Sequence, residues 1–128
     1  MKSSYDDKQS HIPNLELPKM ETMENVYPEN EFLVQFSIPE FTAVCPKTGL
    51  PDFGTIHIDY KPSQKLVELK SLKEYILAFR DKGIFHENVV NKILDDFVKA
   101  ASPNYAKVVG DFNIRGGIKT VVSREFKA

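Results

Sequence analysis

The spacing of hydrophobic residues changes twice along this chain, and that change constrains the fold more than any other feature. Apolar and polar residues alternate in the first part of the chain, recur every three to four residues in the middle, and alternate again near the end. Alternation is typical of half-buried strands, and the longer period is typical of amphipathic helices. The predicted strands lie near residues 32–38 (resuming at 41–44), 55–60, 108–114 and 118–126, and the predicted helices run from 72 to about 83 and from 89 to 101. The predicted order is therefore β-β-α-α-β-β.

Two hairpins in this order form one four-stranded antiparallel sheet, with both helices laid on one face to bury their apolar stripes. Gly116-Gly117 supplies the second hairpin turn, and Ser102-Pro103 ends the second helix. Val108, Phe112 and Ile114 are predicted to face inward. The fold class is α+β, and the sheet keeps one open face and open edges, which we expect other copies of the chain to cover.

The chain is long enough for one compact domain and too short for two, with 128 residues of which 41% are hydrophobic. We assign this domain to residues 31–128. Residues 1–30 are polar, contain three prolines and show no sustained period, which predicts an extended N-terminal arm. This arm is either a frayed terminus or a segment that docks on a neighbouring subunit.

Charge and cysteine content exclude several functional classes. The net charge of -1 provides no excess of clustered Lys and Arg, so no direct nucleic-acid partner is expected. No apolar run is long enough for a membrane span and no secretory signal is present, so we expect a cytoplasmic protein without a membrane partner. A single cysteine forms no internal disulfide, and His11, His57 and His86 share no ligand spacing, so no metal site is expected.

The stretch FTAVCPKTGLPDFG, residues 41–54, places the single thiol in a turn. Cys45 precedes Pro46, which favours an extended backbone at the mouth of the turn, where a substrate can reach the sulfur. Asp52 follows a turn-rich stretch that can bring its carboxylate back toward the thiol and let it act as base and acid. Two alternatives remain open: an inert thiol at Cys45 and an ordinary turn residue at Asp52.

Three further groups of residues have a functional and an ordinary interpretation. His86 and Glu87 stand at the start of the second helix, either as a ligand-facing pair or as residues suited to a helix N-terminus. Lys70 and Lys73 lie where the first helix begins, with Ser71 as a possible N-cap, and either face solvent or bind a phosphate. Arg115 belongs to a hairpin turn or, if the lysines face it, to an anion-binding corner.

Four motifs, CPKTGLPDFG, ELKSLKEY, FHE and RGGI, together resemble the unimodular NADPH-dependent 7-cyano-7-deazaguanine reductases of the QueF family. The resemblance covers about residues 32–126. It implies the tunnelling fold (T-fold), a ring-shaped oligomer that is a homodecamer of two pentamers, and active sites between subunits. It also implies a nitrile oxidoreductase of queuosine (tRNA modification) biosynthesis that uses two NADPH and a covalent cysteine thioimide to make 7-aminomethyl-7-deazaguanine.

The resemblance also implies a role for each motif residue. The catalytic residues would be Cys45 as nucleophile, Asp52 as proton donor and acceptor, and His86 in later proton transfers; the substrate-binding residues Glu87, Glu68, Leu69 and Ser71; and the NADPH-binding residues Lys70, Lys73 and Arg115. The carboxylate of Glu87 would accept two hydrogen bonds from the guanine-like edge. Other members have serine at the position of Leu69, so a hydroxyl contact cannot be assigned there.

Two other functions compete with this one. The chain is alternatively a non-catalytic T-fold module that binds a purine or pterin, in which Cys45 is an ordinary loop thiol. A third possibility is a T-fold enzyme of pterin chemistry that works through bound zinc, against which the lack of the required Cys and His ligands argues.

Overall fold

The computed structural model describes residues 9–128, which form six strands, two α-helices and two short 3-10 turns. The strands are β1 (Thr22–Glu24), β2 (Val34–Val44), β3 (Pro51–Lys61), β4 (Lys65–Val67), β5 (Tyr105–Arg115) and β6 (Ile118–Lys127). The helices are α1 (Leu69–Leu77) and α2 (His86–Ala101), and the 3-10 turns are Ile12–Asn14 and Ala78–Asp81. The first eight residues of the predicted arm lie outside the described part of the chain.

The main sheet contains four antiparallel strands in the order β2-β3-β5-β6. The two hairpins are joined through β3 and β5, where the buried residues Ile58 and Val108 are register partners. Gly116 and Gly117 turn the second hairpin with φ of 59° and 77°, values that residues with a side chain rarely adopt. The predicted α+β class and the order β-β-α-α-β-β are confirmed for this sheet and its two helices.

Both helices bury their apolar stripes against one face of the sheet. The α2 stripe, which includes Val90, Ile93 and Phe97, is fully buried. The ring of Phe97 meets that of Tyr60 on β3 edge-on at 4.8 Å, an arrangement that aromatic quadrupoles favour. Ser102 caps the C-terminus of helix α2: it takes a left-handed conformation with φ of 45° and donates its N–H to the Val98 carbonyl. In the described residues, no helix has the length and apolar character needed to cross a membrane.

The N-terminal segment differs from the predicted extended arm, because residues 12–24 pack against the domain itself. Ile12 and Met20 are buried in the core, and β1 pairs with β4 in a second, two-stranded sheet. No sequence pattern indicates this sheet, because each of its strands has three residues, too few to show a period. The division of the chain at residue 30 stays a prediction.

Three local predictions differ from the structure. Ile114 was expected to face inward, but it is 64% exposed, because the β5-β6 register shifts between Phe112 and Arg115. Ser71 was a possible N-cap of the first helix, but the helix begins one turn earlier and Glu68 caps it, accepting the Ser71 N–H at 2.9 Å. The α1 helix also ends at Leu77, and a 3-10 turn continues to Asp81.

Candidate active site

The β2-β3 hairpin holds Cys45 in a tight turn. The Cys45 N–H donates to the Leu50 carbonyl at 2.9 Å, and the Gly49 N–H donates to the Cys45 carbonyl at 2.9 Å. Gly49 has a φ of 73°, which suits glycine and closes the turn without strain. The thiol is half-buried at the end of this rigid frame, as a substrate-accessible thiol in a turn requires.

Hydrogen-bond donors surround the sulfur of Cys45. The Thr48 hydroxyl donates to it, and the backbone N–H groups of Thr48 and Lys47 add to the effect, so that the pKa of the thiol lies below its ordinary value. Partial burial and the charge of Asp52 oppose this lowering. The Thr48 oxygen accepts the Leu50 N–H at 3.2 Å, which fixes the hydroxyl within the turn. The turn therefore favours the thiolate, the nucleophilic form of cysteine.

Thr48→Val is expected to raise the pKa of Cys45, because it removes the donor with the largest effect on the thiolate. The rate of alkylation by iodoacetamide, followed from pH 5 to 10, reports the midpoint of thiol ionisation. The midpoint should move upward in Thr48→Val, and alkylation near neutral pH should slow. Thr48→Ser keeps the hydroxyl and should retain the wild-type midpoint, whereas identical midpoints in Thr48→Val and wild type would contradict this prediction.

Asp52 lies on β3 opposite Ala43, two residues before Cys45 on the paired strand. Its carboxylate is buried at 8% exposure and makes two polar contacts. Oδ1 accepts a hydrogen bond from Nη1 of Arg115, which also donates to the Pro51 carbonyl at 3.0 Å. Oδ2 lies 3.6 Å from Nε2 of His86. The Asp52 carboxylate thus lies between the Arg115 guanidinium and the His86 imidazole. Asp52 itself belongs to the same hairpin as the Cys45 thiol.

A backbone connection brings the start of α2 to the end of β2. Val44 donates its N–H to the Lys82 carbonyl, and its carbonyl accepts the Ile84 N–H, both at 3.0 Å. Cys45 is the residue after Val44, and His86 lies two residues after Ile84. The connection therefore brings the thiol and the imidazole close together. This parallel bridge is a single pair, which no sequence pattern indicated.

His86 occupies a fixed position in the first turn of α2. Its ring stacks on the buried ring of Phe112 with centroids 4.0 Å apart and planes 4° apart. The Phe112 ring fits because position 110 is glycine: a Cβ there would lie 2.6 Å from that ring and 2.8 Å from Val90. Glu87 follows in the same turn and is exposed, and its backbone carbonyl accepts the amide of Asn91.

These side chains line one cavity of about 220 Å³, formed by Cys45, Asp52, Phe85, His86, Glu87 and Arg115. Five of the six belong to the predicted site, so the structure brings together the predicted thiol, carboxylates, imidazole and guanidinium. Phe85 was not assigned a role from the sequence, although it opens the FHE motif. An open groove of about 700 Å³, lined by Tyr27, Glu29, Asn30, Glu31 and Phe32, shares no residue with this cavity.

The remaining predicted residues lie at the start of α1 and do not line this cavity. Glu68 and Ser71 are engaged in local hydrogen bonds: the Ser71 hydroxyl donates to the Glu68 carbonyl at 2.9 Å and accepts the Glu21 N–H at 2.8 Å. Leu69, Lys70 and Lys73 are exposed. Arg115 contacts Asp52 rather than forming a corner with the two lysines within one chain. The predicted substrate and cofactor contacts of these residues stay predictions.

Within residues 9–128, no group of three or more His, Cys, Asp or Glu side chains is placed to hold a metal ion. The polar groups of the cavity instead contact one another in pairs, through the Asp52 contacts to Arg115 and His86. The chemistry that this cavity offers is a thiol nucleophile beside groups that accept and donate protons.

Comparisons with known proteins give a consistent result. Residues 51–128 match the family model described as QueF-like protein. The chain is 55% identical over 109 residues to an NADPH-dependent 7-cyano-7-deazaguanine reductase of Chloroherpeton thalassium, covering 85% of this chain and 94% of the relative. A protein of the same name from Alkalilimnicola ehrlichii is 55% identical over 108 residues, covering 84% of each chain. A third, from Elusimicrobium minutum, is 53% identical over 114 residues, covering 89% and 86%.

A solved structure shares the fold. The crystal structure of the archaeosine synthase QueF-Like in the apo form matches with a TM-score of 0.68 at 24% identity, covering 73% of this chain and 91% of that chain. At this identity the likeness concerns the fold alone, and it agrees with the predicted tunnelling fold.

Proposed function

Because the chain belongs to the QueF-like family, we propose that it is an NADPH-dependent 7-cyano-7-deazaguanine reductase. It reduces the nitrile group of this deazapurine to an aminomethyl group, as a cytoplasmic step of queuosine biosynthesis. The observation that carries the proposal is the single cavity that contains Cys45, Asp52, His86 and Glu87. Two NADPH and a covalent thioimide at Cys45 belong to the proposed reaction.

The Cys45 thiolate adds to the nitrile carbon, forming a C–S bond while one C–N π bond moves its electrons to nitrogen. The thioimide that results accepts a hydride more readily than the nitrile, so a hard reduction is divided into easier steps. The lowered pKa of Cys45 supports this role, because the thiolate is the form that attacks.

Asp52 takes the proton of the thiol and delivers a proton to the nitrogen that becomes negative during the attack. Its placement in the same cavity as the thiol supports this role. Arg115 binds Oδ1, which holds the carboxylate in one orientation while Oδ2 faces His86. Arg115 is therefore suited to orient Asp52, and the NADPH phosphate contact predicted for Arg115 stays a prediction, since its side chain is 43% exposed.

His86 assists the later proton transfers. Two NADPH molecules, bound in turn, would each supply one hydride, the first for reduction of the thioimide carbon and the second for reduction of the imine carbon that follows it. The nitrogen takes up a proton with the first hydride, the C–S bond then breaks with its electrons returning to Cys45 while one proton leaves the nitrogen to restore the thiol, and the nitrogen takes up its last proton with the second hydride. His86 is suited to pass protons to this nitrogen because Phe112 fixes its ring and Nε2 lies 3.6 Å from Asp52.

Glu87 recognises the substrate. The guanine-like edge presents a ring N–H and an exocyclic amine, and a carboxylate offers two acceptors at a matching separation. Glu87 is exposed at the cavity wall, where a ligand can reach both of its oxygens.

The site is completed by a second subunit, because one chain supplies only part of it. A cavity of about 220 Å³ is smaller than the ~300 Å³ at which ligand pockets begin. Lys70 and Lys73 are exposed cations beside the N-terminus of α1, a donor set that suits the NADPH phosphates. Together with Glu68, Leu69 and Ser71 they would serve the cavity of a neighbouring subunit. The proposed assembly is a decamer of two pentameric rings, and the exposed apolar residues Phe53, Ile114, Ile118 and Val121 support association of the subunits.

The proposed function predicts that two NADPH are consumed for each aminomethyl product. The protein is mixed with 7-cyano-7-deazaguanine and NADPH, the loss of nicotinamide absorbance is followed, and the amine is quantified by mass spectrometry. A ratio of two is expected. Absorbance that stays constant would favour the non-catalytic binding module, and a ratio of one would contradict full reduction to the amine.

A further inference from the structure

The segment that precedes β1 contacts the helix that carries two of the proposed site residues. The Gln9 side chain lies against the start of α2, where its Oε1 accepts from the Asn88 amide at 2.6 Å and from the Phe85 backbone N–H at 3.3 Å. Its Nε2 donates to the Gly83 carbonyl at 3.4 Å. One side chain therefore joins the loop before α2 to the first turn of that helix.

This contact supplies a cap that α2 lacks locally. The N-cap residue is Phe85, which has no side-chain oxygen for the free N–H groups of the first turn. In a capping box, a Glu or Gln three residues later accepts the N–H of the N-cap residue. That position holds Asn88, which donates to Gln9 instead. Gln9 takes over the acceptor role from 76 residues away in the sequence.

The Gln9 contact belongs to a longer docked stretch. Ile12 is buried, and the Pro13 carbonyl lies 3.5 Å from Nζ of Lys92, one turn after Asn88 on α2. Lys92 is itself held by Asp96 at 3.1 Å. The segment therefore runs along α2 from its first turn onward, and the packing of Ile12 and Pro13 holds Gln9 in its position.

We propose that Gln9 is a positioning residue of the active site, which holds the start of α2 and so fixes the His86 imidazole and the Glu87 carboxylate at the cavity. His86 and Glu87 lie between Phe85 and Asn88, the two residues that Gln9 joins. The first turn of a helix opens most easily, so a clamp there acts directly on these two side chains. The effect on catalysis rests on the proposed function, whereas the effect on the helix does not.

Gln9→Met, Gln9→Glu and Gln64→Met test the proposal in the full-length chain. Methionine keeps the length of Gln9 and removes its acceptor, whereas glutamate keeps the acceptor and places a favourable charge at a helix start. Gln64 is an exposed turn residue and provides the matched control. Amide hydrogen exchange over residues 85–89 reports opening of the first turn, and steady-state kinetics report KM and kcat for the nitrile.

Gln9→Met should exchange faster over residues 85–89 and raise KM about fivefold, the size of one neutral hydrogen bond. Gln64→Met should match wild type in both measurements. Gln9→Glu keeps the acceptor for Asn88 and Phe85 but loses the donor to the Gly83 carbonyl, so its exchange rate and KM should lie between those of wild type and Gln9→Met. Unchanged exchange in Gln9→Met would show that Gln9 does not hold the first turn of α2. Faster exchange with unchanged KM and kcat would show that this contact does not position the active-site residues. If wild type does not reduce the nitrile, the proposed function fails, and the exchange result alone decides whether Gln9 holds the helix.

Discussion

Cys45→Ala is expected to abolish both the covalent adduct and turnover of the nitrile. Without the sulfur the nitrile remains a poor hydride acceptor, and the residual groups of the cavity cannot form the thioimide. The loss in kcat should be on the order of 10⁴-fold or more, the scale of removing a covalent nucleophile. Intact-protein mass spectrometry with the nitrile and without NADPH should show wild type heavier by one whole nitrile molecule, because addition releases no leaving group.

The alanine variant separates chemistry from folding. Cys45 is half-buried, and the two hydrogen bonds that close its turn are made by backbone groups, which alanine retains. Thermal unfolding and oligomer size should therefore match wild type. An adduct that persists in Cys45→Ala would place the nucleophile elsewhere, and full turnover by this variant would remove the thioimide from the mechanism.

Local sequence patterns were sufficient to predict the main sheet and the thiol hairpin. The strands and helices have enough residues for their periods to show, so the order β-β-α-α-β-β follows from the sequence. One short turn joins Cys45 and Asp52, and the geometry of that turn brings them close together.

Contacts between distant residues were not predictable in the same way. Arg115 reaches Asp52 across 63 positions, and the register shift after Phe112 changes which residues at the end of β5 face inward. The loop before α2 joins the end of β2 through a single bridge between Val44 and Gly83. No periodic pattern or turn motif in the sequence indicates these contacts, because each depends on how the strands and helices pack against one another.

The docking of the N-terminal segment was also not predictable from local sequence patterns. Its prolines and polar residues predict an extended arm, yet Ile12 and Met20 are buried in the core and β1 pairs with β4. The buried network of Lys92, Asp96 and Tyr75 lies along this contact, where Asp96 accepts from both partners. Burial and the charge of Asp96 raise the pKa of Tyr75, so its hydroxyl stays protonated as the donor.

Glu87→Gln is expected to weaken binding of the nitrile substrate by roughly 2 to 5 kcal/mol. Glutamine replaces one carboxylate oxygen with an NH₂ group, which meets an N–H of the guanine-like edge donor to donor. The bound substrate also excludes water from this contact, so the mismatch has no solvent to relieve it. Isothermal titration in the Cys45→Ala background isolates non-covalent binding from the covalent step.

The same substitution has little reason to disturb the fold. Glu87 is exposed, and its charge at the helix start contributes only about 0.3 to 1 kcal/mol to stability. Glu74→Gln, at an exposed carboxylate of α1, is the matched control and should leave the nitrile Kd unchanged. An unaltered Kd in Glu87→Gln would exclude the pair of hydrogen bonds between Glu87 and the guanine-like edge. A loss confined to Glu87→Gln would assign recognition of the guanine edge to the turn of α2 that also carries His86, so that one helix start binds the ring and serves the reacting nitrile.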